Sequence, residues 1–305
     1  MKNFKQLYRK IIKYILNKKY NLEWILSKNK VYLKCINKEE RTEKLIVSLT
    51  TFPDRITIVH KTIRSILNQK NIKPDVVELW LAKEQFENEM NLPKEVKHLQ
   101  KYGLKICWCN DIKSYKKLVP SLKVHPHDVI ITADDDVYYG KKWLEKLYDA
   151  YKKNNKCIQC HRITKFIIED EKFKTLPGGK DYYKEPSYLN KLVGIGGVLY
   201  PPNSLDKEVL DEKKFLRLAP TNDDIWFWFM AVKNDIKINM IDGGNPRPVD
   251  ILEAENTKKL TTINDKGKRL FWVQFNNLTE EYPEIKSKLI EEFEKNEQER
   301  EKKYV

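Results

Sequence analysis

The sequence lacks any long hydrophobic run, although 41% of its 305 residues are hydrophobic. A membrane-spanning helix needs roughly 18 consecutive apolar residues, and no segment approaches that length. Lysines also interrupt the N-terminal stretch at the place where a signal peptide would carry its apolar centre. We therefore expect a chain that stays in the cytoplasm and buries a sizeable core of its own.

Cysteine is scarce, and the five cysteines are an odd number; they stand at positions 35, 107, 109, 157 and 160. In a chain without an export signal this predicts reduced thiols. Residues 157–161 match C-x-x-C-H, the motif of c-type haem attachment. Such attachment needs an oxidising compartment, so we expect no haem. A zinc site joining Cys107 and Cys109 is disfavoured because C-x-C is tighter than the usual spacing of zinc ligands.

Two common phosphate-binding motifs are missing. There is no G-x-x-x-x-G-K-[ST], and GIGGVLY (194–200) lacks the strand, turn and helix that surround G-x-G-x-x-G in dinucleotide folds. A bound phosphate would therefore be held by a metal ion and by side chains. The lysines of DIKSYKK (111–117) are available for this, and they fit a solvated basic loop equally well.

Positive charge is concentrated at the N-terminus. Basic residues number 58 against 44 acids, a net charge of +14, which favours an anionic partner. Residues 1–34 hold ten Lys or Arg and only Glu23 against them. Apolar residues recur there at helical spacing and predict a basic amphipathic helix: Phe4, Leu7, Tyr8, Ile11 and Ile15. Such a helix either docks on an anionic membrane through residues 1–20 or packs on its own domain with solvated lysines, and we favour the membrane.

Short apolar runs alternate with helical patterns between residues 44 and 156. The runs that predict strands are KLIVSLT (44–50), DVVELWLA (75–82), LKICWC (104–109) and HDVIITA (127–133). This alternation is typical of an α/β fold with a mainly parallel sheet, whose ligands bind beyond the carboxyl ends of the strands. We divide the chain into a basic segment (1–43), two halves of one domain (44–156 and 157–277) and a charged, solvated C-terminal helix (278–305).

Three aspartates follow the fourth predicted strand. Because side chains alternate along a strand, Asp134 and Asp136 should face one side and Asp135 the other. Two carboxylates about 4 Å apart repel by a few kcal/mol, so this pair favours a cation. Mg²⁺ or Mn²⁺ suits an all-oxygen site that also takes phosphate oxygens. The alternative is a solvated acidic turn at the start of the next helix.

Five segments occur in a characteristic order: IVSLTTFPDRI (46–56), DIKSYKK (111–117), ITADDDVYYG (131–140), GIGGVLYPP (194–202) and APTNDDIWFWF (219–229). Together they resemble bacterial glycosyltransferases of the GT-A fold, a group often associated with capsule or lipopolysaccharide assembly. The resemblance covers roughly residues 44–250. It implies a Rossmann-like GT-A sheet and the metal-dependent transfer of a sugar from a nucleotide diphosphate to a glycan or glycolipid acceptor in surface polysaccharide synthesis.

The resemblance implies a donor site in the first half of the domain. The loop similar to the segment that wraps the nucleotide base and diphosphate contains Thr50, Thr51, Phe52, Pro53 and Arg55. Asp111 is similar to the acid at the base edge, and the remaining donor residues expected are Lys116, Lys117, Asp134 and Asp135. Asp134 and Asp136 match the ends of an Asp-x-Asp motif that holds Mn²⁺ or Mg²⁺ against the diphosphate. We expect UDP rather than GDP as the nucleotide.

The resemblance also implies an acceptor site in the second half. Asp223 and Asp224 are similar to the acid pair with which inverting members supply a catalytic base, and alignment favours Asp224 over Asp223. The alternative is helix capping, in which Asn222 or Asp223 caps the helix and acids in its first turn are favoured in any case. Expected acceptor contacts are Gly196, Gly197 and Trp226. Many GT-A enzymes place a later histidine on the metal, but this chain has none after His161. The remaining metal ligands and the choice between inversion and retention stay open.

Two other functional classes share part of this pattern. A metal-dependent phosphotransferase or nuclease would use the same aspartates. A nucleic-acid-binding protein would explain the charge of +14, but an acidic sheet edge repels phosphate unless a metal intervenes. We therefore expect a glycosyltransferase without a nucleic-acid partner, peripheral at the inner face of the cytoplasmic membrane.

Overall fold

The computed structural model of the chain describes residues 2–28, 36–37, 40–177, 185–241, 248–257, 262, 264 and 270–304. The chain forms two compact units. The first combines Met1–Asp111, Lys116–Tyr148 and Arg247–Lys258, and the second combines Ile112–Tyr115, Asp149–Pro246 and Lys259–Val305. Cys35 and the side chain of Phe4 lie outside the described residues. The four other cysteines are free thiols.

The first unit contains four parallel strands: β1 (Leu45–Thr50), β2 (Val76–Ala82), β3 (Leu104–Cys109) and β4 (Val129–Ala133). Their order is β3-β2-β1-β4. Leu45, Ile46 and Val47 of β1 are fully buried, so both faces of this strand are covered, as expected in a parallel sheet between helices. The predicted strands and the α/β class with a mainly parallel sheet are confirmed.

Helices follow the strands as the periodic patterns predict: α2 (Val59–Leu67), α3 (Lys94–His98), α4 (Val119–Val124) and α5 (Trp143–Lys153). After α3, Gly103 ends a short 3₁₀ turn with φ of +103°. A Cβ at this position would lie 2.0 Å from Cγ1 of Ile36, so glycine is required both by the backbone and by the space. A small antiparallel pair joins β5 (Val137–Tyr138) to β12 (Val249–Asp250).

The N-terminal helix α1 (Lys2–Lys28) packs on the first unit through one face. Trp24 is buried, and the ring of Tyr20 stacks on Tyr138 with centroids 4.6 Å apart. The amide of Asn17 donates to the backbone oxygen of Asp250 at 3.1 Å. The structure therefore packs the helix on its own domain, and its opposite face is apolar and exposed. None of the described helices is long and apolar enough to cross a bilayer.

The second unit contains two groups of three strands. In one, β6 (Ile158–Cys160) pairs antiparallel with β10 (Val198–Tyr200) and parallel with β11 (Ile238–Met240). In the other, β7 (Ile163–Glu169) lies between β8 (Lys172–Pro177) and β9 (Asn190–Leu192). The helices of this unit are α6 (Glu212–Leu218), α7 (Asp223–Lys233), α8 (Leu270–Glu281) and α9 (Pro283–Tyr304).

The charged C-terminal segment differs from the single solvated helix that the sequence suggests. Tyr282 separates α8 from α9, and α9 begins at Pro283. Ile285 and Leu289 of α9 are buried, and the carboxylate of Glu292 accepts a hydrogen bond from the backbone N–H of Tyr188 at 2.6 Å. Two apolar residues one turn apart suffice to bury one face of an otherwise polar helix.

Candidate functional site

Polar side chains gather at the carboxyl ends of the parallel strands of the first unit. Thr51 follows β1, Asp111 follows β3, and the three aspartates follow β4. Because the strands are parallel and in register, these loops lie along one edge of the sheet. This is the edge at which the sequence predicts ligand binding.

Arg55 contacts the acidic loop, which is formed by residues 134–136 after β4. It lies in a 3₁₀ turn that begins at Pro53, and its guanidinium Nη1 is 2.5 Å from Oδ1 of Asp135. The other oxygen of Asp135 accepts a hydrogen bond from the hydroxyl of Thr51 at 2.6 Å. All three side chains are buried. The carboxylate of Asp135 is therefore fully engaged inside the protein.

The two remaining aspartates meet separate cations. Nη1 of Arg55 is also 3.2 Å from Oδ2 of Asp136, whereas Nζ of Lys117 donates to Oδ1 of Asp134 at 3.1 Å. Asp135 and Asp136 thus converge on one guanidinium, whereas Asp134 contacts a lysine. β4 ends at Ala133, so strand alternation does not by itself set the directions of these side chains, and the convergence of Asp134 and Asp136 on one cation stays a prediction.

Asp111 forms another ion pair at this edge, with Lys116. Its carboxylate accepts from Nζ of Lys116 at 2.5 Å and from the side-chain amide of Gln85 at 2.7 Å. Lys116 is almost entirely buried, and Asp111 is partly exposed. Lys116 and Lys117 are therefore buried and each contacts one of the predicted donor aspartates, whereas Lys113 of the same segment is exposed.

Two side-chain contacts, one of Thr50 and one of Arg55, position the loop that follows β1. The hydroxyl of Thr50 donates to the backbone oxygen of Trp80 at 2.8 Å, which ties the loop to β2. The guanidinium of Arg55 lies 5.2 Å from the centroid of the Phe52 ring. The half-buried ring of Phe52 and the exposed Pro53 leave apolar surface next to the charged residues.

Burial and charge shift the pKa values of three groups here. Burial raises the pKa of the Asp135 carboxyl and outweighs the opposing effect of Arg55. Burial by itself lowers the pKa of Arg55, but the carboxylates of Asp135 and Asp136 outweigh it and raise that pKa above its ordinary value. Burial, followed by the negative charge of Asp134, raises the pKa of Tyr139 well above its ordinary value. Arg55 and Tyr139 therefore keep their protons across the physiological range.

The accessible carboxylates fit a hard cation. Asp134 and Asp136 expose 29% and 16% of their side chains, whereas Asp135 exposes 7% and is saturated by Arg55 and Thr51. Carboxylate oxygens are the ligands that Mg²⁺ and Mn²⁺ prefer. Within the described ranges no group of three or more His, Cys, Asp and Glu side chains is arranged to hold a metal. Such an ion would need further oxygens from its ligand and from water.

The second unit brings Asp224 to a glycine-rich turn. Its Oδ2 accepts a hydrogen bond from the backbone N–H of Gly194 at 2.8 Å. The turn continues through Gly196, where a Cβ would lie 2.8 Å from Cγ of Arg162, and Gly197, which has φ of +90°. Glycine is therefore required at both positions, and the turn is positioned next to a half-buried carboxylate.

The cap of α7 is Asn222. Its side-chain oxygen accepts from the backbone N–H of Ile225 at 3.2 Å, so neither acid acts as the N-cap residue. Asp223 is buried and Asp224 is partly exposed. Of the two caps that the sequence offers, Asn222 and Asp223, the structure shows Asn222, and both acids lie in the first turn of the helix.

Trp226 belongs to the core. Its side chain is fully buried, and its indole N–H donates to the backbone oxygen of Val209 at 3.3 Å. The ring cannot stack on an acceptor sugar, contrary to the expected acceptor contact. All of the residues from Ile225 to Val232 are buried, so α7 has no solvent-facing side along this stretch.

Sequence reasoning missed two residues of the first unit. The hydroxyl of Thr257 accepts from Nε of Arg55 at 2.9 Å, and the phenol oxygen of Tyr139 accepts from the backbone N–H of Asp134 at 2.8 Å. Thr257 is 202 residues from Arg55 in the chain, and no local pattern marks it. Tyr139 lies three residues after Asp136, within the segment ITADDDVYYG (131–140), and this position was the only local signal.

Comparisons with known proteins give remote likenesses in structure. No protein-family model matches the sequence, and no curated protein matches it. One similar solved structure is GalNAc-T7 with UDP, GalNAc and Mn²⁺, with a TM-score of 0.41 and 11% identity, covering 66% of this chain and 42% of that one. Another is CMP:2-keto-3-deoxy-manno-octonic acid synthetase complexed with CTP, with a TM-score of 0.39 and 12% identity, covering 65% of this chain and 88% of that one. The chain thus spans about two fifths of the length of the first of these proteins, and neither likeness identifies its function.

Proposed function

We propose that the protein is a metal-dependent glycosyltransferase of the GT-A fold that uses a nucleotide-diphosphate sugar. The observation that carries the proposal is the set of acids and bases at one sheet edge: Asp134 and Asp136 next to Arg55 and Lys117. A diphosphate leaving group needs positive charge, and a hard cation needs carboxylate oxygens. This edge supplies both.

The donor residues act by binding and orientation. Asp134 and Asp136 would hold Mg²⁺ or Mn²⁺, which when bound neutralises the charge of the leaving diphosphate as a Lewis acid. Arg55 fixes the acidic loop through Asp135 and Asp136, and Lys117 reaches a phosphate oxygen when it exchanges its contact with Asp134. Phe52 and Asp111 are the contacts proposed for the base, and UDP is the nucleotide proposed.

Asp224 is proposed as the catalytic base, and Asp223 as its positioning neighbour. The acceptor hydroxyl oxygen forms a bond to the anomeric carbon while the bond from that carbon to the diphosphate oxygen breaks. The electron pair of that bond leaves with the nucleoside diphosphate, and the hydroxyl proton passes to the carboxylate of Asp224. The hydrogen bond from Gly194 supports this role because it holds one carboxylate oxygen and orients the other. This sequence of bonds inverts the anomeric configuration.

The acceptor proposed is a glycan or glycolipid of a bacterial surface polysaccharide, with the enzyme at the inner face of the cytoplasmic membrane. A lipid-linked acceptor fits a chain whose N-terminal helix carries excess positive charge. Gly196 and Gly197 are the acceptor contacts retained in this proposal.

The proposal is tested by donor binding and hydrolysis. UDP-, GDP- and CMP-sugars with and without Mn²⁺ are screened by thermal shift, and sugar release is then measured for the native protein, Asp134→Asn and Asp136→Asn. We expect Mn²⁺-dependent hydrolysis of a UDP-sugar that both variants lose. Asp149→Asn, in α5 and half exposed, is the matched control. Unchanged hydrolysis in EDTA, or cleavage of single-stranded nucleic acid instead, would refute the proposal.

A further inference from the structure

The outward face of α1 carries most of the large hydrophobic side chains that are exposed among the described residues. Twelve large hydrophobic side chains are exposed, and nine of them lie on this helix: Leu7, Tyr8, Ile11, Ile12, Tyr14, Ile15, Leu22, Ile25 and Leu26. Their exposed fractions run from 38% for Ile12 to 64% for Leu26. Apolar side chains clustered in this way mark an interaction site in a folded protein.

The inward face of the same helix is already occupied. Nζ of Lys13 contacts Oδ2 of Asp250 at 3.3 Å and Oε1 of Glu255 at 2.5 Å. Asn17, Tyr20 and Trp24 pack on the first unit as described above. Rotation of α1 about its axis would break these contacts, so the apolar face cannot be buried by turning the helix inward.

The outward face is positively charged as well as apolar. At 100° per residue, Lys18 and Lys19 fall on the same side as Ile11 and Ile15, and both lysines are exposed. Nζ of Lys18 lies 5.4 Å from the centroid of the Tyr14 ring. The sole acid of the helix, Glu23, pairs with Lys141 at 3.1 Å. Lysines with apolar stems beside exposed leucine and isoleucine are suited to an interface where lipid tails meet phosphate head groups.

We propose that this face, formed by the nine apolar residues with Lys18 and Lys19, docks on an anionic phospholipid surface. The helix then lies in the plane of the interface, with its apolar side chains in the acyl boundary and its lysines at the head groups. The docking face extends past residue 20 to Leu22, Ile25 and Leu26. It deepens the membrane contact of the proposed function and is independent of the sugar-transfer chemistry.

The test is sedimentation of the full-length protein with vesicles. Binding is measured to phosphatidylcholine vesicles with and without phosphatidylglycerol. We expect binding that requires phosphatidylglycerol and falls with salt, and a loss of roughly tenfold or more in the partition constant for Leu22→Ser/Ile25→Ser/Leu26→Ser. The matched control is Met90→Ser/Val124→Ser/Val273→Ser, which changes three exposed apolar residues elsewhere and should bind as the native protein does.

Further measurements separate the possible outcomes. Melting temperature and donor hydrolysis show whether the variant is folded and active, so a failure of membrane docking is distinguished from a failure of the proposed enzyme. The single change Ile25→Ser gives a smaller loss if the triple variant does not fold. Equal binding of native and variant protein would overturn the proposal. So would a native dimer in the absence of vesicles that Ile25→Ser converts to monomer, because a second copy of the chain would then cover the face.

Discussion

Arg55 and Asp135 form a buried ion pair at the carboxyl end of the parallel sheet, with Nη1 of Arg55 2.5 Å from Oδ1 of Asp135. The same guanidinium contacts Asp136 and the hydroxyl of Thr257. A single side chain after β1 therefore organises the acidic loop after β4. The arrangement places carboxylates of different exposure next to each other, 7% for the side chain of Asp135 and 16% for that of Asp136.

Removal of one partner of this pair should be strongly destabilising. Arg55→Met leaves the charge of Asp135 buried and uncompensated, and we expect the free energy of unfolding to fall by about 3–5 kcal/mol. The double change Arg55→Met/Asp135→Leu removes both charges and should cost less than Arg55→Met alone. Urea unfolding of the three proteins measures this. The exposed pair Lys174 and Glu169 is the control, since breaking it should leave the free energy of unfolding almost unchanged. Equal costs at the two pairs would contradict the structural role of Arg55.

Lys117 should bind the diphosphate of the donor. Lys117→Ala removes one charge-assisted hydrogen bond, for which we expect roughly a 10- to 100-fold rise in the Kd for a UDP-sugar. The Kd for uridine should stay unchanged because uridine has no phosphate. Calorimetric titration with both ligands gives the comparison. Lys105→Ala, at an exposed position of β3, is the control. A parallel loss of affinity for uridine would mean that the loop, rather than the phosphate contact, was disturbed.

Asp224→Asn should lower turnover without a comparable loss of stability. A general base contributes typically 10²- to 10⁴-fold, so we expect kcat to fall by about that factor while donor affinity stays near the native value. Asn222→Ala is the matched control because Asn222 caps the same helix. It should cost about 1 kcal/mol of stability and spare turnover. A destabilised but fully active Asp224→Asn would place the base elsewhere.

Glu208 should stabilise the second unit in a manner that depends on pH. Hydrogen bonds from Lys214 and Lys233 lower the pKa of Glu208 from its ordinary 4.5 to about 2. A carboxylate with a depressed pKa stabilises the folded state above its unfolded pKa, and this contribution is lost as the pH falls through the folded pKa. We therefore expect Glu208→Gln to lower the free energy of unfolding at pH 7, with the difference from the native protein shrinking between pH 4.5 and pH 2.

The control for this experiment is Glu169→Gln, which changes an exposed acid on β7. Its difference from the native protein should be small across the same pH range. If the free energies of unfolding of Glu208→Gln and the native protein differed by the same amount from pH 7 to pH 2, the glutamate would contribute through packing rather than charge.

Local patterns predicted the strands of the first unit and the edge where polar residues gather. The runs 44–50, 75–82, 104–109 and 127–133 correspond to β1–β4 within two residues. This succeeded because a buried parallel strand is a short, continuous apolar run, and because parallel strands align their carboxyl ends. The alternation of strand, helix and strand was enough to predict the α/β class.

Sequence patterns could not predict the contacts between segments that are distant in the chain. Asp135 and Arg55 are 80 residues apart, and their pairing depends on β1 and β4 being neighbours in the sheet. Asp136 contacts the same guanidinium, which no local pattern indicates. Likewise, helical spacing revealed that α1 is amphipathic, but the side that faces the protein is set by Tyr138 and Asp250, more than a hundred residues away. Periodicity is a local property of the chain, whereas pairing and burial are properties of the folded protein.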